Sequence, residues 1–210
     1  MTAPSAESPR PPGPGLRERK KIRTRRAIRD NAYRLFAEQG YDATPIDQIA
    51  ENANVSPSTI FRYFPTKEDI VLHDGYDQAL QAALRDRPAE EPPLTALRHA
   101  LLQTLRDATE DEEREAAFRV QLSVRVPALR ARMAESRSET CRVLATVLAE
   151  RTGRDEDDLD LCIFTGAVMG AFVEALFHWG EHRQQDSIVA VAERTLDVLE
   201  KGLTPVPDHT

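Results

Sequence analysis

Apolar side chains along most of the chain recur at the three- and four-residue spacing of amphipathic helices, and no segment alternates as a strand does. Ile28, Ala32 and Phe36 form the first such face, which predicts a helix over residues 16–39 that ends at Gly40. Further helices are predicted at 45–52, 57–64, 66–87, 94–109, 112–125, 127–152, 156–182 and 186–202. The predicted fold class is therefore all-α, with an N-terminal three-helix head and a C-terminal helical bundle.

Pairs of a hydroxyl residue and a proline mark the starts of the two short helices. Thr44-Pro45 and Ser56-Pro57 each offer an N-cap side chain followed by a proline suited to the first helical position. Asn54 tolerates the left-handed backbone conformation that a sharp turn requires. These signals predict two short helices joined by a tight turn.

Composition divides the chain and excludes several classes of protein. Five of the 14 prolines lie in the first 14 residues, so residues 1–15 are expected to form a flexible arm, followed by a head at 16–75 and a helical domain at 76–204.

The longest apolar stretch, 163–173, is too short to span a membrane, and the N-terminus lacks the pattern of a secretory signal. We therefore expect a cytoplasmic protein with no membrane partner. Cys141 and Cys162 are too few for a disulfide framework and are expected to be buried.

The net charge of −7 is unevenly distributed along the chain. Residues 1–67 hold 12 Lys and Arg against 7 Asp and Glu, a charge of +5, whereas the remainder carries −12. Eight of those cations lie between Arg17 and Arg29 beside a single acid, Glu18, which is typical of a phosphate-binding surface. A solvated basic helix face is the alternative explanation for the same run.

Two short helices joined by a tight turn and flanked by cations are typical of a helix-turn-helix element that reads the DNA major groove. On the second helix, Ile60, Phe61 and Phe64 are expected to anchor the element, which leaves the polar side chains outside. The candidate DNA-contacting residues are Thr44, Gln48, Ser56, Pro57, Ser58, Thr59, Arg62, Tyr63 and Lys67.

The chemistry of five of these side chains suggests individual roles. Arg62 suits a guanine edge or a phosphate, and Ser58 and Thr59 suit base edges or phosphates. Tyr63 suits the phosphate backbone. Lys67, beside the N-terminus of the next predicted helix, adds a positive charge to outward-facing amides and predicts a phosphate contact.

Residues 55–68 resemble the TetR family of bacterial transcriptional regulators, as do the helix end at 37–41 and the Ile49-Ala50 pair. The resemblance covers about the first 75 residues. Asn54 stands where glycine is common in such proteins, and Phe61 stands where tyrosine is common, so a hydroxyl contact to phosphate is absent at position 61. The resemblance implies a homodimer that binds a palindromic double-stranded DNA operator and represses transcription until a small ligand binds the C-terminal domain.

The last two predicted helices are the candidates for the dimer interface. Apolar and small residues there are Ile163, Ala167, Gly170 and Ala171, followed by Ile188, Val191, Ala192, Leu196 and Leu199. Gly166 and Gly170 predict that a neighbouring helix approaches closely. An ordinary monomeric core is the alternative for these positions.

Residues 126–132, 149–155 and 175–179 resemble a TetR branch whose C-terminal domains are associated with acyl-CoA-like ligands. An apolar tunnel with cations at its mouth would suit an acyl chain and an anionic head. Its candidate lining residues are Phe118, Arg119, Leu122, Arg125, Phe164, Met169, Phe172 and Trp179. Aromatic and Met residues at helical spacing more often belong to an ordinary core, which is the alternative.

The sequence offers little for other functions. His178 and His182 lie four residues apart but lack the glutamate and third ligand of a zinc site, so neither a metal nor a cofactor is expected. No nucleophile motif is present, so an enzyme is not expected either. The competing functions are a helical ligand-binding or scaffolding protein with little DNA binding, and a DNA-binding regulator without a ligand switch.

Overall fold

A computed structural model describes residues 15–72, 76–182 and 186–203 of the chain. The described residues form ten α-helices and no strand, which confirms the predicted all-α class. The helices are α1 Leu16–Gln39, α2 Ile46–Asn52, α3 Pro57–Tyr63, α4 Lys67–Leu72, α5 Tyr76–Arg85, α6 Pro93–Arg106, α7 Glu110–Arg125, α8 Pro127–Thr152, α9 Leu159–Glu181 and α10 Ile188–Lys201. The arm predicted at residues 1–15 lies, apart from Gly15, outside the described residues.

The chain divides into two compact units, with Ile70 as the last residue of the first and Val71 as the first of the second. The sequence predicts this boundary at residue 75. The predicted helix over 66–87 is described as α4 and α5, and residues 73–75 between them lie outside the description.

The first unit begins and ends its helices largely where the sequence predicts. Gly40 ends α1 with a φ of 90°, a left-handed value that disfavours other residues, and its N–H donates to the Phe36 carbonyl oxygen. Asn54 has a φ of 53°, as predicted for the turn between α2 and α3. In that turn the Val55 N–H donates to the Ala50 carbonyl oxygen over 2.9 Å, which closes the end of α2.

A large hydrophobic cluster holds the second unit together, and it draws on α5, α6, α8, α9 and α10. Its fully buried members include Leu84, Leu97, Leu144, Leu148 and Leu196. A smaller cluster of Val120, Leu176 and Trp179 joins α7 to α9. α9 therefore packs against both α8 and α7, as well as against α10.

Capping residues shift the starts of two helices from their predicted positions. Thr109 and Glu112 form a reciprocal capping box, so α7 begins at Glu110 and not at residue 112. The Asp158 side chain accepts the Asp160 N–H over 2.8 Å, so α9 begins at Leu159 and not at 156.

α9 corrects the expectation that no segment could span a membrane. Its 23 residues and a mean hydropathy of 1.7 over an 18-residue window would suffice by length and composition alone. The helix is so apolar because one face fills the core with residues such as Leu161 and Val168, while Leu159 and Ile163 remain 70% and 59% exposed on another. The exposed face is a second apolar surface in addition to the core face.

The prediction that both cysteines are buried is wrong, and the close approach predicted at Gly166 is not made within this chain. Cys162 is exposed, whereas Cys141 is half-buried, and burial raises the pKa of its thiol. No described helix approaches Gly166 closely, since a Cβ added there would meet nothing within 4 Å. The close approach occurs at Gly180, where an added Cβ would lie 2.8 Å from a methyl group of Val120.

Candidate functional site

α3 is the element with the strongest prediction of function, and its start is fixed locally. Ser56 is the N-cap and accepts the Thr59 N–H over 3.2 Å, and Pro57 occupies the first turn, both as predicted. Ile60 is fully buried and Phe64 nearly so, one turn apart on the same side of the helix. The opposite side of α3 therefore faces solvent.

Four side chains occupy that solvent-facing side, and they form two lines along the helix. Ser58 and Arg62, four residues apart, make a polar line. Pro57 and Phe61, also four apart, make an apolar line beside it. Phe61 is 50% exposed, so the prediction that it anchors the head is wrong. A side chain that the sequence places in the core instead lies on the solvent-facing side of α3.

Hydroxyl groups cluster at the start of α3. The Ser56 Oγ lies 2.9 Å from both the Ser58 Oγ and the Thr59 Oγ1. Each hydroxyl has one proton to donate and can also accept, so the cluster can exchange an internal partner for an oxygen or nitrogen on a DNA base or phosphate. The sequence predicts a DNA contact for all three residues, and the structure brings them together.

Arg62 and Tyr63 lie at the end of α3. The Arg62 guanidinium is 5.3 Å from the centre of the Tyr63 ring, and its side chain is exposed. No hydrogen bond or ion pair links the Arg62 side chain to any other residue within the described ranges. The guanidinium donors are therefore free for a guanine edge or a phosphate.

Thr44 is reassigned from a candidate DNA contact to a structural role. Its side chain is 0% exposed, and its hydroxyl donates to the Gly40 carbonyl oxygen over 2.8 Å. It does not cap α2, because Pro45 takes the N-cap position without a side-chain hydrogen bond. A buried hydroxyl that already has a partner cannot reach DNA without unfolding this turn.

Gln48 is half-buried and already bonded within the head. The Gln39 Nε2 donates to the Gln48 Oε1 over 2.7 Å, and also to the Thr44 Oγ1 over 3.2 Å. This amide pair joins the end of α1 to α2. Gln48 remains close to the surface, but its side chain would have to exchange partners before it contacts DNA.

Lys67 also serves the fold of the head. Its Nζ lies 4.1 Å from the centre of the Tyr41 ring and 5.5 Å from that of Phe36, and it donates to the Tyr41 carbonyl oxygen. Burial lowers the pKa of the Lys67 ammonium. The predicted role as a phosphate contact therefore does not match the position of this side chain.

The basic half of α1 is exposed to solvent over several turns. Lys20, Arg23 and Arg26 all lie on its surface, with Arg26 4.0 Å from Asp30. Arg25 instead turns inward, and its guanidinium lies 5.4 Å from the centre of the buried Phe64 ring. The exposed cations of α1 thus provide a charged surface on the same unit as α3.

The eight predicted ligand-binding residues are distributed over two hydrophobic clusters and the surface of the second unit. Phe164 and Met169 pack against the large hydrophobic cluster, and Trp179 belongs to the small one. Phe172 contacts both clusters. Arg125 is exposed at the end of α7, and Leu122 is buried. The remaining two, Phe118 and Arg119, are half-buried.

A cleft of about 360 Å³ lies beside Trp179 in the second unit. Its lining residues are Glu110, Glu113, Arg114, Ala117, Trp179, Ser187 and Ile188. The Trp179 indole N–H already has a hydrogen-bond partner, because it donates to the Asp186 carbonyl oxygen over 2.7 Å. Two carboxylates, Glu110 and Glu113, against the single cation Arg114 make this cleft a poor place for the phosphates of an acyl-CoA.

No group of three or more His, Cys, Asp or Glu residues in the described ranges is placed to hold a metal ion. The His178 and His182 rings stack with their centres 3.9 Å apart. The His182 Nδ1 lies 2.7 Å from the His178 carbonyl oxygen. These two side chains therefore interact with each other and with the helix backbone.

Known families match both units of the chain. Residues 28–73 match a family described as bacterial regulatory proteins, tetR family. Residues 91–204 match a family described as MftR C-terminal domain, which belongs to the TetR series of C-terminal domains. The two matches together cover most of the described residues.

Individual relatives agree with these family matches. The transcriptional regulator TcmR of Streptomyces glaucescens is 41% identical over 156 residues, which cover 70% of this chain and 69% of that protein. The fatty acid metabolism regulator protein of Bacillus subtilis is 25% identical over 181 residues, or 84% of this chain and 93% of its own length.

Solved structures have the same fold. FadR of Thermus thermophilus, a repressor bound to lauroyl-CoA, gives a TM-score of 0.56 at 24% identity, covering 89% of this chain and 98% of its own. FadR of Bacillus subtilis, bound to stearoyl-CoA, gives a TM-score of 0.57 at 22% identity, and the match covers 85% of this chain and 99% of that one. At these identities the likeness establishes the architecture of both units.

Proposed function

The chain belongs to the TetR family of bacterial regulatory proteins and is a DNA-binding transcriptional regulator, and on that premise we propose that α3 reads its operator in the major groove. The observation that carries this proposal is the solvent-facing side of α3, where Ser58 and Arg62 lie one turn apart above a buried base of Ile60 and Phe64. The core fixes the helix, and the exposed line is free to contact bases.

The residues of α3 have different proposed contacts with DNA. Arg62 makes a bidentate contact to a guanine, and Ser58 and Thr59 bond base edges or phosphates. Tyr63, half-buried beside Arg62, bonds the phosphate backbone. Ser56 and Pro57 set the start of the helix and contact the DNA there.

Two further groups support the reading helix. Gln48 contacts the DNA backbone if it exchanges its amide partner, whereas Thr44 and Lys67 position the elements around α3. We assign the general phosphate contacts to exposed cations of α1 such as Lys20 and Arg23, because they have no competing role in the core.

We propose that the protein is a homodimer joined through the exposed face of α9. Leu159 and Ile163 are large and exposed there, and Gly166 leaves open space in which a second helix can approach. On α10, Ala192 and Leu196 are buried in their own chain and are not available to a partner. The proposed interface therefore leaves out these two residues, which the sequence predicts to belong to it. A two-fold dimer places two α3 helices on a palindromic operator, with half-sites roughly 34–36 Å apart.

We further propose that a ligand of the second unit releases the operator, and that acyl-CoA thioesters are the class to test first. Two proteins of the same fold were solved with lauroyl-CoA and stearoyl-CoA. The acyl chain would enter between the two hydrophobic clusters at Phe172, with the anionic head near Arg119 or Arg125. The cleft beside Glu110 and Glu113 is not assigned to this ligand, because its charge has the wrong sign.

Fluorescence anisotropy at fixed salt tests this proposal. The protein is titrated onto labelled DNA from its own upstream region and onto scrambled DNA, with and without stearoyl-CoA. We expect selective binding that the ligand abolishes, and a Phe172→Trp variant that binds DNA normally but no longer responds, because the larger ring fills the entry point. Selective binding that stearoyl-CoA leaves unchanged would contradict the acyl-CoA assignment and favour a regulator with another effector or none.

A further inference from the structure

Phe61 is an exposed aromatic ring on the helix that we assign to DNA reading. It is 50% exposed, while its neighbours Ile60 and Phe64 are buried. It lies one turn after Pro57 on the apolar line of α3, next to the polar line of Ser58 and Arg62. When Ser58 and Arg62 meet base edges, this ring must also meet the groove.

The chemistry of the groove limits what the ring can meet. A phenylalanine has no donor, so a ring that covers a phosphate oxygen would remove water from that charge without replacing its hydrogen bonds. The major-groove edges of the base pairs expose donors, acceptors and one apolar group, the C5 methyl of thymine. That methyl is the group in the groove that an apolar ring can cover without leaving a polar atom unpaired.

We infer that Phe61 reads a thymine methyl in each operator half-site, and is therefore a specificity-determining residue alongside Arg62. The inference rests on the proposed function, since it requires α3 to lie in the major groove. The two lines of α3 are about 5–6 Å apart at their Cβ atoms. Successive base pairs are about 3.4 Å apart along the DNA helix axis. The thymine therefore lies within about two base pairs of the guanine that Arg62 contacts.

The test removes only the methyl group from the DNA. In an operator obtained by selection from a random library, each thymine is replaced in turn by deoxyuridine, symmetrically in both half-sites, and affinity is measured by anisotropy. Burial of one methyl group is worth about 0.8 kcal/mol, so we expect one symmetric replacement to weaken binding about 15-fold, or about fourfold per half-site.

Variants of position 61 complete a double-mutant cycle. Phe61→Ala should bind the thymine and deoxyuridine operators equally, and Phe61→Leu, which keeps part of the apolar contact, should retain an intermediate preference. Arg62→Ala is the matched control, because it should lose guanine preference but keep the sensitivity to deoxyuridine. The exposed position of Phe61 leaves the core unchanged, which circular dichroism checks.

The outcomes separate this inference from the proposed function. Selective binding that no deoxyuridine replacement weakens contradicts the role of Phe61 and leaves the regulator intact. An equal deoxyuridine penalty in wild type and Phe61→Ala also contradicts it, because another side chain then contacts the methyl. Failure to distinguish operator from scrambled DNA would contradict the reading helix itself, and Phe61 with it.

Discussion

The ammonium group of Lys67 lies 4.1 Å from the centre of the Tyr41 ring and donates a hydrogen bond to the Tyr41 carbonyl oxygen. The Tyr41 hydroxyl in turn donates to Glu68 over 2.9 Å, and burial together with this bond raises the pKa of the phenol. These contacts tie the first turn of α4 to the segment between α1 and α2. They stabilise the head that carries the reading helix.

Replacing Lys67 with methionine should lower the stability of the head. A methionine keeps much of the stem's packing but loses the cation–π contact and the hydrogen bond, at a cost of about 1–2 kcal/mol. Thermal unfolding followed by circular dichroism measures the change. Lys20→Met, on the exposed surface of α1, is the control and should leave the transition unmoved. An unchanged transition in the Lys67 variant would mean that its contacts with Tyr41 contribute nothing.

Arg62→Ala should relax specificity at one base pair of each half-site. A bidentate arginine–guanine contact contributes about 1–3 kcal/mol of discrimination, so the variant should bind the operator and its guanine-substituted version with similar affinity. Lys20→Ala should instead weaken all DNA equally and reduce the slope of log affinity against log salt by about one. If the arginine variant still discriminates at every guanine, Arg62 does not read a base.

Ile163→Glu should dissociate the dimer. It places two carboxylates against each other in an apolar interface, where a buried unpaired charge is costly. Size-exclusion chromatography with light scattering measures the mass. Leu203→Glu changes a residue that is 91% exposed but lies beyond α10, and should leave the dimer intact. A dimeric Ile163 variant would contradict the assignment of the interface to α9.

Gly180→Ala should destabilise the second unit. The added methyl would lie 2.8 Å from a Val120 methyl and 3.0 Å from one of Val124, and β-branched side chains cannot easily turn away. We expect a loss of about 1–3 kcal/mol. Adding Val120→Ala makes room, so the double variant should lose less than the sum of the two single changes. Additive losses in chemical denaturation would show that the glycine is not needed for space.

Glu91 should make stability depend on pH in the acid range. Its carboxylate accepts from Arg87 and lies 2.6 Å from the His99 Nδ1, and the bond from Arg87 is the main reason that its pKa falls to about 2. Because the folded-state pKa is depressed, this contribution is complete above the ordinary value of 4.5 and is lost as the pH falls towards 2.

The comparison of Glu91→Gln with wild type isolates that contribution. The melting temperature of the variant should be lower at neutral pH, and the difference should shrink as the pH falls below about 4.5. Glu90→Gln, at an exposed neighbouring position, should match wild type throughout. A difference that is constant with pH would mean that the charge of Glu91 is not what stabilises this loop.

The sequence predicts the helices well because their core faces recur at regular spacing and do not depend on distant partners. The start of α7 is also predictable from the sequence, because Thr109 and Glu112 have the residue types and spacing of a capping box. The aromatic ring of Phe61 alone favours a position in the core. Ile60 and Phe64 are one turn apart and already fill the inward face, so the same spacing rule points Phe61 to solvent.

Polar side chains at the candidate site were harder to predict. Lys67 bonds a carbonyl 26 residues earlier in the chain, and no local pattern reports a contact of that range. Thr44 bonds Gly40 only because the chain turns there, so a residue that resembles an N-cap is buried. The eight ligand-binding candidates share apolar or cationic side chains, but the packing of α7 and α9 distributes them over two clusters and the surface.

Selection of DNA from a random library by the whole chain tests the central claim most directly. A regulator that reads DNA through α3 as a dimer should enrich a two-fold symmetric motif whose half-sites lie roughly 34–36 Å apart, with a guanine that the Arg62→Ala variant no longer selects. A library that stays random, or a motif that is identical for wild type and Arg62→Ala, would contradict the account.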